Sequence, residues 1–408
     1  MKPSSDPASE IARVRARLGK ENRRLDLAAR LLFPKLRGDQ KPRRILLYRT
    51  ARLGDFIVAI PAMVALRETF PDAEIVLLSA TSVQGRTDSV KRSLAGQNRP
   101  PWFDFVAPSV IDRAIAVEGD GPVALAKAVQ SAIREFRPDV AIVLCTELET
   151  FRQKLRKLLF FRSAGLRAPI VGYRMRQTHD EDVILQQSAG MLEHNVVSAA
   201  LSAYECPGMP LYREGDLAFK LHVEASARGF AQSLWQEQGW SGRRVVVLFP
   251  GGSKEHNYWP VGNYAALLGH WPSSPPPVFV TLGTEADRPR TSALIEASSE
   301  PIFDLTGKLT LMQTAAVLEK ADLYLGTNTG PMHLSTALGT RTIAIMNHHE
   351  LIPCWEPWND RRFGLVHEVP CKGCYSNFEC PLGTAACIRD LPVRQVREAV
   401  RTVMAELP

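Results

Sequence analysis

From residue 43 onward, short apolar runs alternate with stretches whose apolar positions recur at helical spacing. The runs Ile45–Tyr48, Ile75–Ser79, Ala114–Val117 and Val140–Cys145 predict strands, and helices are expected near 56–70, 122–136 and 186–204. A Pro/Gly-containing stretch, Pro207–Gly215, interrupts the series. The pattern then restarts, with strands expected at Val245–Phe249, Val278–Leu282, Leu323–Gly326 and Thr342–Met346. Helices are expected near 224–239, 261–270, 286–298, 310–320 and 331–338. This alternation predicts parallel sheets with helices on both faces, in two α/β domains with a boundary near 205–218. The expected division is a leader over 1–42, domains over 43–210 and 211–390, and a C-terminal helix over 391–408. Each sheet would offer the carboxyl ends of its strands to a ligand, so two such units facing a cleft suit a two-substrate enzyme.

The leader has a pattern of its own. Ile11, Val14, Leu18, Leu25, Ala28, Ala29, Leu32 and Leu36 recur at helical spacing, with Arg13, Arg17, Arg24 and Arg30 mostly off that stripe. This suits a helix docked on its own domain, or a basic amphipathic helix on an anionic membrane surface. A disordered leader is the third reading.

Charge sharpens this picture. The chain of 408 residues carries a formal net charge of +7, with 23% charged and 45% hydrophobic residues, as in soluble globular proteins. The surplus is local: residues 1–44 hold four Lys and nine Arg against five acids, and residues 151–177 hold eight basic residues and no acid. The longest nearly apolar run, Phe56–Leu66, falls well short of the ~18 residues that span a bilayer, and the first residues lack the apolar core of a secretory signal. The seven cysteines do not form a disulfide framework, which suits a cytosolic location.

Four stretches could carry chemistry. Arg49–Met63 follows the strand RILLY; Gly54 permits a tight turn and Asp55 stands where a helix begins. Asp55 reads either as a helix N-cap or as a general base at the mouth of the sheet, with Arg49 and Arg52 beside it to hold an anionic substrate. In the stretch 245–260, a strand ends in Pro250-Gly251-Gly252-Ser253-Lys254. Small residues there let backbone N–H groups approach phosphate oxygens, though a plain strand–turn–helix also explains them. In Gly326–Thr340, a strand is followed by Asn328-Thr329-Gly330, where exposed helix amides make an anion site, and His333 falls on the first helical turn. Finally, Cys371, Cys374, Cys380 and Cys387 could bind a structural zinc ion, pack as reduced thiols or form disulfides.

Together these blocks resemble glycosyltransferase family 9, the ADP-heptose:lipopolysaccharide heptosyltransferases. The resemblance covers roughly residues 43–405 and is specific in RILLYRTARLGDFIVAIP and in LGTNTGPMHLSTALGT. It implies a GT-B fold, an α/β architecture of two Rossmann-like domains facing a central cleft. The first would bind the acceptor and the second a nucleotide-sugar donor. It also implies inversion at the anomeric carbon, with Asp55 as the base and no cofactor required for catalysis. Gly251, Gly252, Ser253, Lys254, Asn328, Thr329, Gly330 and His333 would then meet the donor, and Glu285 or Asp287 its ribose. Two positions depart from the family pattern. Asn257 and Tyr258 stand where many members have a Lys shortly before Trp-Pro, and Asn328 stands where many have Asp.

The expected activity is therefore sugar transfer, most simply heptose from ADP-heptose, onto an anionic lipopolysaccharide-core-type acceptor. The basic stretch 151–177 could attract that acceptor, or be only a solvated helix face. The expected location is cytoplasmic, peripheral at the inner face of the bacterial inner membrane. A non-catalytic nucleotide-sugar or glycan-binding relative is the alternative. Nucleic acid is not an expected partner, because neither basic cluster interleaves aromatic residues.

Overall fold

The computed structural model describes residues 7–35, 41–49, 52–82, 101–119, 122–144, 151–173, 219–252, 257–348, 355–369, 380 and 383–407, with backbone alone over 7–19, 80–82, 118–119 and at 122. The chain forms two compact units, Met1–Lys220 and Leu221–Pro408. The expected helix at 186–204 and the expected boundary stretch 205–218 lie outside the described residues.

The first unit holds a five-stranded parallel sheet: β1 (Arg44–Tyr48), β2 (Glu74–Ser82), β3 (Arg113–Gly119), β4 (Val140–Val143) and β5 (Ile170–Val171). Their spatial order is β3-β2-β1-β4-β5. The second unit holds six: β6 (Val245–Phe249), β7 (Val278–Thr281), β8 (Ile302–Asp304), β9 (Leu323–Thr327), β10 (Arg341–Ile345) and β11 (Gly364–Leu365). Their order, β11-β10-β9-β6-β7-β8, is that of a dinucleotide-binding fold. In both sheets the first strand of the unit pairs with the fourth, so the order reverses between β1 and β4 and between β6 and β9. The described strand pairs are parallel, and β1, β4 and β6 are covered on both faces, which explains their unbroken apolar runs.

Acids placed just before strands fix the register. Asp139, before β4, accepts from the backbone N–H groups of Arg43 and Arg44 at 2.9 Å each. Asp322, before β9, accepts from Val245 N–H at 2.8 Å, and Asp112, before β3, from Ile75 N–H at 2.7 Å. Each carboxylate satisfies an N–H at the start of the neighbouring strand, which the ladder alone leaves open.

The leader is part of the first unit. Pro7–Leu32 forms one helix, and Leu25, Ala29 and Phe33 are buried against Leu158, Phe161 and the sheet. Its described half therefore docks on its own domain, with the apolar stripe turned inward. Tyr173 ties it down further, donating its hydroxyl to Asp26 at 3.2 Å. The basic stretch supplies the partner helix, Phe151–Ser163, which turns Lys154, Leu158 and Phe161 inward. The C-terminal helix Val393–Glu406 packs Val396, Val400 and Val403 into the core of the second unit. That core also holds Trp259, whose indole N–H donates to the Leu391 carbonyl at 2.9 Å.

Leu25 is fully buried, so Leu25→Ala should destabilise the first unit by about 2–4 kcal/mol. Denaturant unfolding followed through the first unit measures this; a loss below about 0.5 kcal/mol, the range of an exposed position, would mean that the leader is not docked.

Candidate functional site

In the first unit the chain leaves β1 at the point where strand order reverses. Arg49 follows β1 directly and is buried, at 2% exposure. Its Nη1 donates to the Leu144 carbonyl at the end of β4, at 3.0 Å, and its Nη2 donates to the Asp55 carbonyl. The guanidinium thus spans the reversal point and holds the following turn. A residue expected to face substrate instead reaches inward, because β1 and β4 diverge there and leave carbonyls that a five-donor fork can reach. Arg52 remains exposed.

Arg52, not Asp55, is the N-cap of the short helix Leu53–Ile57. Asp55 lies one residue past Gly54 in its first turn, half-buried. Among the described residues its carboxylate has no ion-pair partner, although Arg49 grips its backbone. Phe56 points the other way and stacks on Phe103 at 5.2 Å. The backbone is therefore fixed while the acid side chain is left for other work.

The second unit repeats this design with different side chains. Gly251 and Gly252 follow β6, and Thr327 ends β9 beside them; its hydroxyl donates to the Gly251 carbonyl at 2.6 Å. Gly326 allows the close approach, since a Cβ there would meet the Phe249 carbonyl oxygen at 2.7 Å. A Cβ on Gly251 would meet Asp287 Oδ1 at 2.3 Å, which brings the turn 284–287 against the same strand end. Tyr258 donates its hydroxyl to the Gly252 carbonyl at 2.8 Å. Ser253 and Lys254 lie outside the described residues.

The helix Gly330–Ala337 starts at this point. Thr329 is its N-cap, but among the described residues its side chain does not cap the helix amides, and its hydroxyl turns back to the Thr327 carbonyl at 3.3 Å. Asn328 is held through its backbone N–H, which donates to the Ile345 carbonyl at 3.1 Å. Asn257 is buried and accepts from Asn347 Nδ2 at 2.7 Å, so it joins the loop after β10 to the loop before Trp259.

His333 sits on the first turn of that helix. Its ring stacks on Trp358 at 5.6 Å and meets Trp355 edge-on at 5.3 Å. Among the described residues, Nδ1 has no hydrogen-bond partner. Burial pushes the imidazole pKa down to about 3, so the ring is neutral at pH 7. The two tryptophans were not legible as site residues, although their i, i+3 spacing just beyond β10 was open to view.

Glu285 opens the turn after β7. Its carboxylate is exposed and paired with Arg288, at 2.5 and 2.6 Å, and that pairing holds it below the usual carboxylate range. Asp287 instead closes a capping box, accepting from Thr284 N–H at 2.9 Å and Thr284 hydroxyl at 2.8 Å.

Of the cysteines, Cys380 and Cys387 are partly buried, and Ala385 N–H donates to Cys380 Sγ at 3.4 Å. Cys371 and Cys374 lie outside the described residues. Among the described residues no group of three or more His, Cys, Asp or Glu side chains converges as metal ligands would.

Comparison with known proteins gives this geometry a lineage. The family model for glycosyltransferase family 9 (heptosyltransferase) matches residues 176–383, slightly more than half of the chain. The chain belongs to glycosyltransferase family 9. Among curated members of that family, it is 24% identical over 166 residues to lipooligosaccharide heptosyltransferase 2 of Campylobacter jejuni, covering 40% of this chain and 52% of that protein. It is 24% identical over 137 residues to lipopolysaccharide heptosyltransferase 3 of Escherichia coli, covering 32% and 40%. The chain thus spans about half the length of the curated relatives it matches.

Solved structures agree over a longer span. A family 9 glycosyl transferase from Veillonella parvula superposes with a TM-score of 0.63 at 17% identity, covering 89% of this chain and 98% of its own. E. coli ADP-heptose lps heptosyltransferase II gives 0.57 at 16%, covering 89% and 99%. The E. coli heptosyltransferase WaaC with ADP gives 0.54 at 16%, covering 88% and 99%. The fold is therefore the α/β GT-B fold, with two Rossmann-like units.

The buried, neutral His333 makes folding pH-dependent. The unfolded imidazole takes up a proton near pH 6.5, while the folded one resists until about pH 3. Its contribution is complete above pH 6.5 and is lost as pH falls toward 3. Urea midpoints measured between pH 7 and pH 4 should therefore fall more steeply for the wild type than for His333→Phe; parallel curves would contradict the assignment.

Proposed function

We propose that this chain is an inverting glycosyltransferase. It moves heptose from ADP-heptose onto a hydroxyl of an anionic lipopolysaccharide-core-type acceptor. The observation that carries the reading is Asp55, an acid with a clamped backbone and, among the described residues, no ion-pair partner for its carboxylate at the carboxyl end of β1. Family membership supports the reaction class.

Each unit contributes one part of the chemistry. Asp55 takes the proton of the acceptor hydroxyl. The acceptor oxygen then bonds to the anomeric carbon from the face opposite the leaving group, and the bond from that carbon to the phosphate oxygen breaks. The electron pair leaves with the nucleoside diphosphate. The uncapped amides of the helix Gly330–Ala337 and the turn Gly251–Gly252, continued by Ser253 and Lys254, stabilise the departing charge. Neutral His333 contributes hydrogen bonding rather than charge, and Glu285 bonds the donor ribose beside its Arg288 partner. Asn328 keeps hydrogen-bonding capacity at the helix start without adding a negative charge next to the diphosphate. Catalysis requires no cofactor in this scheme, and a zinc ion at the four cysteines would be structural.

Arg49 positions Asp55, and exposed Arg52 meets the anionic acceptor. Asp55→Asn should lower turnover by about 10²–10⁴-fold and leave nucleoside diphosphate binding intact. The assay is nucleoside diphosphate release with a truncated core acceptor. Wild-type turnover by this variant would refute the mechanism.

A lipid-linked acceptor places the enzyme on a membrane surface, at the cytoplasmic face. Among the described residues no helix is long and apolar enough to cross a membrane. The outward faces of the two packed helices suit peripheral contact instead. Lys20, Arg23, Arg24 and Arg30 surround Leu27 and Leu31, which are 59% and 78% exposed, and Arg152 and Arg156 flank exposed Leu159. Basic residues attract anionic headgroups, and the leucines enter the interface. The double variant Arg23→Glu, Arg24→Glu should bind anionic vesicles at least tenfold more weakly, at roughly 1 kcal/mol per charge. Unchanged vesicle binding would rule out this face.

A further inference from the structure

Among the described residues, the two groups already placed at the proposed donor site that could carry positive charge, His333 and Arg288, do not offer it to a ligand. His333 is neutral, and Arg288 is engaged by Glu285, by Asp304 at 3.3 Å and by the Thr306 carbonyl at 2.7 Å. A departing diphosphate carries charge that helix amides offset only in part. A cation near the turn after β6 would meet that need.

Arg290 is in place. It lies on the helix Arg288–Ala297, and its Cζ sits 3.0 Å from the centroid of the Tyr258 ring. Tyr258 in turn belongs to the turn, since its hydroxyl donates to the Gly252 carbonyl at 2.8 Å. A Cβ on Gly252 would touch Tyr258 Cε1 at 3.2 Å and Thr327 Oγ1 and Thr329 Cγ2 at 3.6 Å. Tyr258, Gly252, Thr327 and the N-cap of the helix Gly330–Ala337 therefore form one cluster, and Arg290 covers its aromatic wall.

From this arrangement we infer that Arg290, seated on Tyr258, is the cation that receives the diphosphate of the nucleotide-sugar donor. The inference rests on the donor reading of this site. Its physical basis is the shape of guanidinium. Stacking uses the flat face of the group and leaves its in-plane N–H donors free for phosphate oxygens. Among the described residues Arg290 is in no ion pair, so an incoming anion would not have to displace a carboxylate. Tyr258 fixes the guanidinium at one height above the turn, which limits the side-chain entropy lost on binding.

The test compares two probes, ADP and uncharged adenosine, binding to the full chain by calorimetry. Arg290→Ala should weaken ADP by roughly 10- to 100-fold, the range for a lost charge-assisted hydrogen bond, and leave adenosine affinity unchanged. Arg290→Lys should recover part of the loss, and Tyr258→Ala should weaken ADP more than Tyr258→Phe does. The ADP affinity of Arg290→Ala should also depend less on salt. Unchanged ADP affinity in Arg290→Ala would overturn the inference, particularly if Lys254→Ala alone abolished binding. Equal loss of ADP and adenosine would also overturn it, because it would make Arg290 a brace for the turn. A wild-type protein that binds adenosine but not ADP, or neither, would refute the donor reading and this inference together. Wild-type ADP binding with an unaffected Arg290→Ala would refute the inference alone.

Discussion

Two parallel strands that part at their carboxyl ends leave backbone carbonyls that neither ladder can satisfy. This occurs twice in the chain, between β1 and β4 and between β6 and β9. In each case a side chain at the end of one strand donates to a carbonyl at or just past the end of the other. Arg49 does so to Leu144, and Thr327 does so to Gly251. The choice of donor determines what each opening can do. A long guanidinium also reaches the Asp55 carbonyl and fixes the backbone of an acid. A short hydroxyl draws two turns together around glycine and leaves helix amides uncapped. In the proposed mechanism one opening thus presents a base and the other an anion site.

Electrostatics follow from this packing. Burial between two tryptophans makes His333 neutral. The Glu285–Arg288 pair is exposed and screened, so its effect is to orient Glu285 more than to stabilise the fold. Positive charge reaches the second unit's site from the side, along the face of Tyr258. In the first unit, basic residues gather where the leader and the helix Phe151–Ser163 pack together. The two charge clusters seen separately along the chain are thus neighbours in the fold.

Much of the fold was legible because parallel strands buried on both faces read as unbroken apolar runs, and VVVLF matches β6 residue for residue. The short edge strands β5, β8 and β11 were not, since two or three residues carry no period. Asp55, Gly251, Gly252 and Thr329 stand out by their places after strands. The inward turn of Arg49 was hidden, because its partners at residues 55 and 144 are not adjacent in sequence to one another. The leader's apolar stripe suited a docked helix, a membrane helix or a disordered leader, and burial of Leu25 against Leu158 and Phe161 shows that its described half is docked. Tyr258 and Arg290 were obscure for the same reason as Arg49: their contact is made across two elements.

In the proposed mechanism the donor's diphosphate lies at the carboxyl ends of β6 and β9. The most direct measurement is a crystal structure of the chain with ADP bound. Phosphate oxygens are expected within hydrogen-bonding distance of the Gly330 amide and beside the turn Gly251–Gly252. ADP bound at the carboxyl ends of β1 and β4, or with its phosphates turned away from that helix start, would contradict this placement of the donor.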